Sequence, residues 1–227
     1  MTDQRDVWLV VPMYNESQVV RDVIVQARRT FPNVVCVDDG SQDSSAAEAA
    51  AGGAVVVRHP INLGQGAALQ TGIEYARNRP GARYLVTFDA DGQHNTDDVS
   101  RMVARLRTEP LDVVLGTRFQ GNTGHIPLLK RVVLRTVVMM SPRAHRLNLS
   151  DSHNGLRAMT VDAARRINLQ SNGMAHADEF VDIVDRERMR VAEEPVTINY
   201  TDYSMSKGQS LLNGVNIVVD SAVRRRS

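Results

Sequence analysis

The sequence predicts an α/β chain: a mostly parallel sheet flanked by helices. Three observations predict it. Short β-branched runs recur at residues 7–11, 34–37, 54–57, 84–88 and 113–115, helical patterns fill the gaps between them, and polar loops follow the runs immediately. Runs of three to five apolar residues without alternation are the pattern of strands covered on both faces.

The elements follow in order. Residues 17–31 predict a first helix, with Val19, Val20, Val23, Ile24 and Ala27 on one face and a capping box from Asn15 and Gln18. Residues 44–51, 66–77 and 97–106 predict three more, the third burying Leu69, Ile73 and Ala76 and the fourth Val99, Met102, Val103 and Leu106. After Arg118 the alternation stops. A helix at 128–140, a strand at 156–160, helices at 161–167 and 177–187, a sheet edge at 191–198 and a last helix at 211–223 complete the chain. With no repeats and no proline-rich linker, residues 1–227 are expected to pack as one domain.

Composition narrows the function classes. A net charge of +1, from 27 basic and 26 acidic side chains, excludes bulk electrostatic binding to nucleic acid, and no such partner is expected. The single Cys36, inside an apolar run, excludes an internal disulfide and a cysteine-rich metal cluster and fits a cytosolic compartment. No run approaches the roughly 18 apolar residues of a membrane span, and residues 1–6 lack a signal-peptide pattern. The expectation is a chain neither secreted by that route nor anchored by its own helix.

Ligands of open α/β sheets sit beyond the carboxyl ends of the strands, so the residues after each strand carry the chemistry. Strand one ends in Pro12, Met13, Tyr14, Asn15 and Glu16, strand two in Asp38, Asp39 and Gly40, and strand four in Asp89, Ala90, Asp91, Gly92, Gln93 and His94. Crowded carboxylates stay ionised cheaply when a cation neutralises them, so Asp89 and Asp91 are candidate ligands of a hard divalent ion, with Gln93 as a neutral oxygen donor. Such an ion keeps positions open for diphosphate oxygens. The competing reading is a turn that caps the next helix.

The loop at 62–68, with Gly64 and Gly66, has two readings. Its amides face an anion, or its glycines let another backbone approach. It is neither a phosphate loop of the Gly-Lys-Ser/Thr type nor a dinucleotide fingerprint. From Val113 to Ser150 there is no acidic residue, whereas Arg118, Lys130, Arg131, Arg135, Arg143 and Arg146 fall inside. The helix at 128–140 is thus either a basic, apolar surface for anionic lipid or a core helix with exposed arginines. Residues 203–210, with Lys207, form either a loop that closes over phosphate or a surface connection.

In this order and spacing the motifs resemble family 2 of the glycosyltransferases, with the Rossmann-like GT-A fold, and within it the polyprenyl-phosphate sugar synthases. The resemblance spans residues 7 to about 210. It rests on Pro12-x-Tyr14-Asn15-Glu16, Val37-Asp38-Asp39-Gly40-Ser41-x-Asp43, Asn62-x-Gly64-x-Gly66-Ala67, Asp89-Ala90-Asp91-Gly92-Gln93-His94, Gly116-Thr117-Arg118 and Asp151-Ser152-His153-Asn154-Gly155-Leu156-Arg157. It implies a nucleotide-binding half at about 1–118, an acceptor half at about 119–210, and a C-terminal helix and basic tail at 211–227.

The resemblance also implies residue roles. Pro12, Tyr14, Glu16 and Asp39 would surround base and ribose, with Gly66 and Ala90 also on the nucleotide side. Asp89, Asp91 and Gln93 would meet Mg2+ or Mn2+ and the diphosphate. Arg118, Arg131 and Lys207 would face acceptor phosphate or donor diphosphate, and 151–157 would border the sugar pocket.

The expected reaction moves a hexose or N-acetylhexosamine, with inversion, from a nucleotide-diphosphate sugar to polyprenyl phosphate. Asp178 and Glu179 stand where members that glycosylate hydroxyls carry their base, which keeps a sugar hydroxyl as the alternative acceptor. A non-catalytic nucleotide-binding scaffold is the alternative outside enzymes. A nucleotidyltransferase would place a glycine-rich loop with a basic residue after strand one, where Pro12 and Glu16 stand. The C-terminal membrane helices of many lipid-linked members are missing, so the resemblance implies peripheral attachment to the inner face of the cell membrane through 128–140. A separate small membrane protein is the further partner it suggests.

Overall fold

The computed structural model describes residues 4–118, 146–147, 149–151, 154–173 and 175–199. The predicted helices at 128–140 and 211–223, and the loop at 203–210, lie outside them.

The first half alternates as expected: β1 (Val7–Met13), α1 (Val20–Arg28), β2 (Asn33–Asp38), α2 (Ser45–Ala51), β3 (Val55–Arg58), α3 (Gln65–Arg77), β4 (Tyr84–Thr87), α4 (Thr96–Thr108) and β5 (Val113–Thr117). β6 (Arg157–Thr160), α5 (Val161–Arg166), α6 (His176–Arg186) and β7 (Val191–Pro195) follow. The seven strands form one sheet in the order β3-β2-β1-β4-β6-β5-β7. β6 alone runs antiparallel to its neighbours β4 and β5.

Apolar side chains fill both faces of the sheet. On one, Ile24 and Phe31 join Val99, Met102 and Val103 of α4. On the other, Leu69 and Ile73 of α3 join Phe180, Ile183 and Val184 of α6. The inward faces predicted for α3 and α4 are the buried ones. Asn95 caps α4 by accepting from the Asp97 amide.

Two local expectations are corrected. Asn15 does not cap α1: it takes a positive φ of 54°, accepts from the Gln42 amide and donates its own amide to Ser41 Oγ, so it ties the loop after β1 to the loop after β2. The Glu16 carbonyl serves the amides of Val19 and Val20 instead. β3 is an edge strand with Val55 exposed, not a strand buried on both faces.

Register collects the site. Met13 pairs with Asp38 and Asp38 with Arg58, so β1, β2 and β3 end level. Because β6 is antiparallel, Thr87 at the end of β4 pairs with Arg157 at the start of β6, and Leu115 pairs with the same arginine from the other side. One sheet edge therefore gathers the ends of β1 to β5 and the entry to β6.

Candidate active site

At the β3 end of this edge lies a cleft of about 640 Å³. Tyr14, Gly40, Ser41, Gln42, Arg58, His59, Pro60, Ile61 and Asn62 line it, and Tyr14 and Ile61 leave 42% and 63% of their surface to solvent. An exposed aromatic ring beside polar loops is a stacking surface for a planar ligand. Beneath it Arg58 pairs with the buried Asp38 at 3.0 Å and donates to the Ser41 carbonyl, fixing one wall.

Asp39 is buried, and its carboxylate serves the loops. Oδ1 accepts from the Leu63 amide and lies 2.7 Å from His59 Nδ1, and Oδ2 accepts from the Gly64 amide at 2.7 Å. His59 Nε2 lies 3.0 Å from Thr71 Oγ1 on α3. Asp39 thus shapes the pocket by clamping its floor. Pro12 is buried behind it, and Glu16 sits in the loop whose amide donates to Ser45 Oγ.

Gly66 resolves the two readings of its loop in favour of backbone approach. Its amide donates to the Asn172 carbonyl at 2.8 Å, and an added Cβ would fall 1.9 Å from the Ser171 carbonyl oxygen. The amides of Leu63, Gly64 and Gly66 are all taken by protein.

Past the end of β4 the acidic corner appears. Asp89 Oδ2 lies 2.9 Å from His94 Nε2. Burial alone would raise the Asp89 carboxyl, but the hydrogen bond and charge of His94, then the charge of Arg157, outweigh it and hold it below the usual range. Asp91 goes the other way: burial, then the charge of Asp89, raise it, Glu16 adds to the rise, and the Gln93 amide on Oδ1 opposes it. Ala90 is buried between them. Two crowded carboxylates with opposite shifts form a hard-oxygen donor pair that a divalent ion would relieve, so the pair fits Mg2+ or Mn2+ with further positions open to diphosphate oxygens and water. No cluster of three or more His, Cys, Asp or Glu suited to a metal occurs among the described residues.

Three more residues complete this corner: His94, which the sequence reading gave no role, and Gly155 and Arg157, which it placed only in a segment bordering the sugar pocket. Arg157 is 3% exposed, lies over the Phe180 ring at 4.5 Å and donates to the Asn154 carbonyl. Burial lowers its guanidinium to about 10, while Asp89, Asp151 and Asp178 pull upward. The charges of three carboxylates act on it. The available signal was an arginine inside a strand, where a charge survives only if paired.

The remaining candidates divide. Arg118 grips Asp151 with two nitrogens, at 2.7 and 2.9 Å, so its guanidinium is engaged within the protein. Glu179 accepts from the amides of Gln170 and Ser171 at 2.9 and 2.7 Å and is a loop clamp. Asp178 stands one residue earlier, in the first turn of α6, and its charge acts on Arg157. Arg131 and Lys207 lie outside the described residues.

Comparison with known proteins bears on the family and the fold. The family model for glycosyl transferase family 2 matches residues 8–167. An uncharacterised protein of Methanocaldococcus jannaschii is 32% identical over 94% of this chain and 89% of its own length. A UDP-N-acetylglucosamine–dolichyl-phosphate N-acetylglucosaminyltransferase of Methanococcus voltae is 27% identical over 93% of this chain and 92% of its own. Among solved structures, glucosyl-3-phosphoglycerate synthase of Mycobacterium tuberculosis with Mn2+ and UDP-glucose superposes with a TM-score of 0.73 at 18% identity, over 97% of this chain and 79% of that one.

Proposed function

The chain belongs to glycosyl transferase family 2, and from that premise we propose that it moves a hexose or N-acetylhexosamine from a nucleotide-diphosphate sugar to polyprenyl phosphate, with inversion at the anomeric carbon. The observation that carries the acceptor is the engagement of Glu179, one of the two candidate bases. Its carboxylate is spent on the amides of Gln170 and Ser171. A sugar hydroxyl needs a base to take its proton, whereas a phosphate oxygen is already anionic near neutral pH. The name of the Methanococcus voltae relative supports the same acceptor class.

In this reading residues 1–118 form the nucleotide half. Tyr14 stacks on the base in the cleft floored by Asp39 and His59. Asp89, Asp91 and Gln93 take the metal-diphosphate side, and Arg118, Arg131 and Lys207 remain proposed for phosphate, Arg118 with Asp151 as its counter-charge. A bound Mg2+ or Mn2+ would supply Lewis-acid stabilisation of the leaving diphosphate. An acceptor phosphate oxygen forms the new bond to the anomeric carbon as the bond to the nucleotide diphosphate breaks, and the departing oxygen keeps the electron pair. The hydrogen bond of His94 and the charge of Arg157 favour the ionised form of Asp89.

The site of action in this proposal is the inner face of the membrane, reached through 128–140 and aided by a small membrane protein. No helix among the described residues is long and apolar enough to cross a membrane.

Radiolabelled sugar nucleotides, Mn2+ and polyprenyl phosphate test the reaction. Label that partitions into organic solvent and is released by mild acid is the expected outcome. Label found on a free saccharide alone would contradict the acceptor.

A further inference from the structure

Asp89 is hemmed in by two residues that the proposed reaction leaves without a role. The His94 ring, its side chain 3% exposed, bonds Oδ2 through Nε2 at 2.9 Å and packs edge-on against Phe88 with centroids 5.5 Å apart. Nδ1 of the same ring is buried without a hydrogen-bond partner among the described residues, so Phe88 and Asp89, and no bond at Nδ1, set its orientation. An unmet buried nitrogen is costly and persists where the other nitrogen is needed.

Gly155 also lies against the carboxylate. A Cβ there would fall 2.5 Å from Oδ2 and 3.0 Å from Oδ1. The glycine has no room to retreat, because its carbonyl accepts from Thr87 Oγ1 at 2.6 Å and the next residue's amide accepts no slack either, being bonded to Asn154 Oδ1. Among the described residues, no hydrogen bond is made to Asp89 Oδ1. One oxygen is fixed and the other is left for a ligand.

We propose that His94 and Gly155 are positioning residues that lock Asp89 in the orientation in which it meets a divalent cation carrying a nucleotide diphosphate. The inference rests on the reading of Asp89 and Asp91 as the metal corner. Hydrogen-bond partners of ligating carboxylates commonly change metal affinity about 10-fold to 100-fold when removed.

The test is a Mn2+ titration followed by electron paramagnetic resonance, with UDP present, on the full chain and on the variants Gly155→Ala, His94→Met and His94→Gln. Glutamine retains a donor near the Nε2 position, and methionine fills the space without one. Gly155→Ala and His94→Met are expected to bind Mn2+ about 10-fold more weakly or worse, and His94→Gln to recover most of that loss. Thermal midpoints of the metal-free variants are recorded alongside. A purely structural role would lower both His94 variants equally in midpoint and leave Mn2+ affinity unchanged, which overturns the inference. Equal weakening in His94→Gln and His94→Met also overturns it for His94, and Gly155→Ala then decides for the glycine alone. Should the unaltered chain bind no Mn2+, the metal corner itself fails, a result distinct from normal binding in every variant.

Discussion

Asp91 shows how a single side chain joins stability to chemistry. Its carboxyl is raised above the ordinary 3.8 by burial and then by Asp89. A raised pKa in the folded state favours folding fully below 3.8, and that contribution is lost as pH rises through the raised value. At neutral pH the ionised Asp91 therefore works against the metal-free fold. Asp91→Asn is expected to raise the metal-free thermal midpoint by about 2 °C and to lower sugar transfer about 100-fold. Calorimetry with and without Mn2+ and UDP, beside a transfer assay, checks both, since only the original side chain should gain stability from the ligands. Glu179 makes the opposite case. Glu179→Ala strips two amides of their acceptor and should cost about 1–3 kcal/mol in urea unfolding, while Glu179→Gln keeps turnover within a few-fold. A complete loss of turnover in Glu179→Gln would restore it as the base. The crowding of Asp89 and Asp91 at a strand end was legible in the sequence, because both directly follow an apolar run. The approach of Gly155 and Arg157 to Asp89 was not, since it comes from the antiparallel strand that brings 155–157 beside β4, and no local spacing encodes that pairing.

At the scale of elements, the loop after β3 and the loop before α6 form one unit. Asp39 holds the amides of Leu63 and Gly64, Asn172 holds the amide of Gly66, and Glu179 holds 170–171, so clamps run from β2 to α6. Gly66→Ala is expected to destabilise by about 1–3 kcal/mol, because its Cβ meets backbone rather than a side chain able to turn away. Chemical denaturation measures this, and a neutral result would show that the two loops part freely. The helices were read well where burial has the helical period, as in α3 and α4. The start of α1 was misread because Asn15 and Gln18 match a capping box in sequence, while tertiary contacts with Ser41 and Gln42 claim Asn15 first. β3 looks as apolar as a central strand, and only its place at the sheet edge exposes Val55.

Across the whole molecule, the strand order sets the distance between base and chemistry. From the β3 end of the cleft to β4 are three strand spacings, about 14 Å, and Tyr14, which follows β1, stands one spacing from β4. In the proposed reaction an extended nucleotide-diphosphate sugar would bridge the cleft and the acidic corner. The alternation of strands and helices, and the layer order it dictates, were legible from β-branched runs alone. The antiparallel insertion of β6 was not, because strand direction leaves no mark on a four-residue run. With Glu179 spent on two amides, the proposed reaction turns on the charge of the acceptor. Paired assays with polyprenyl phosphate and the corresponding polyprenol, under one nucleotide sugar and Mn2+, test this most directly. The phosphate should be glycosylated and the alcohol left untouched; equal glycosylation of the alcohol would contradict the account.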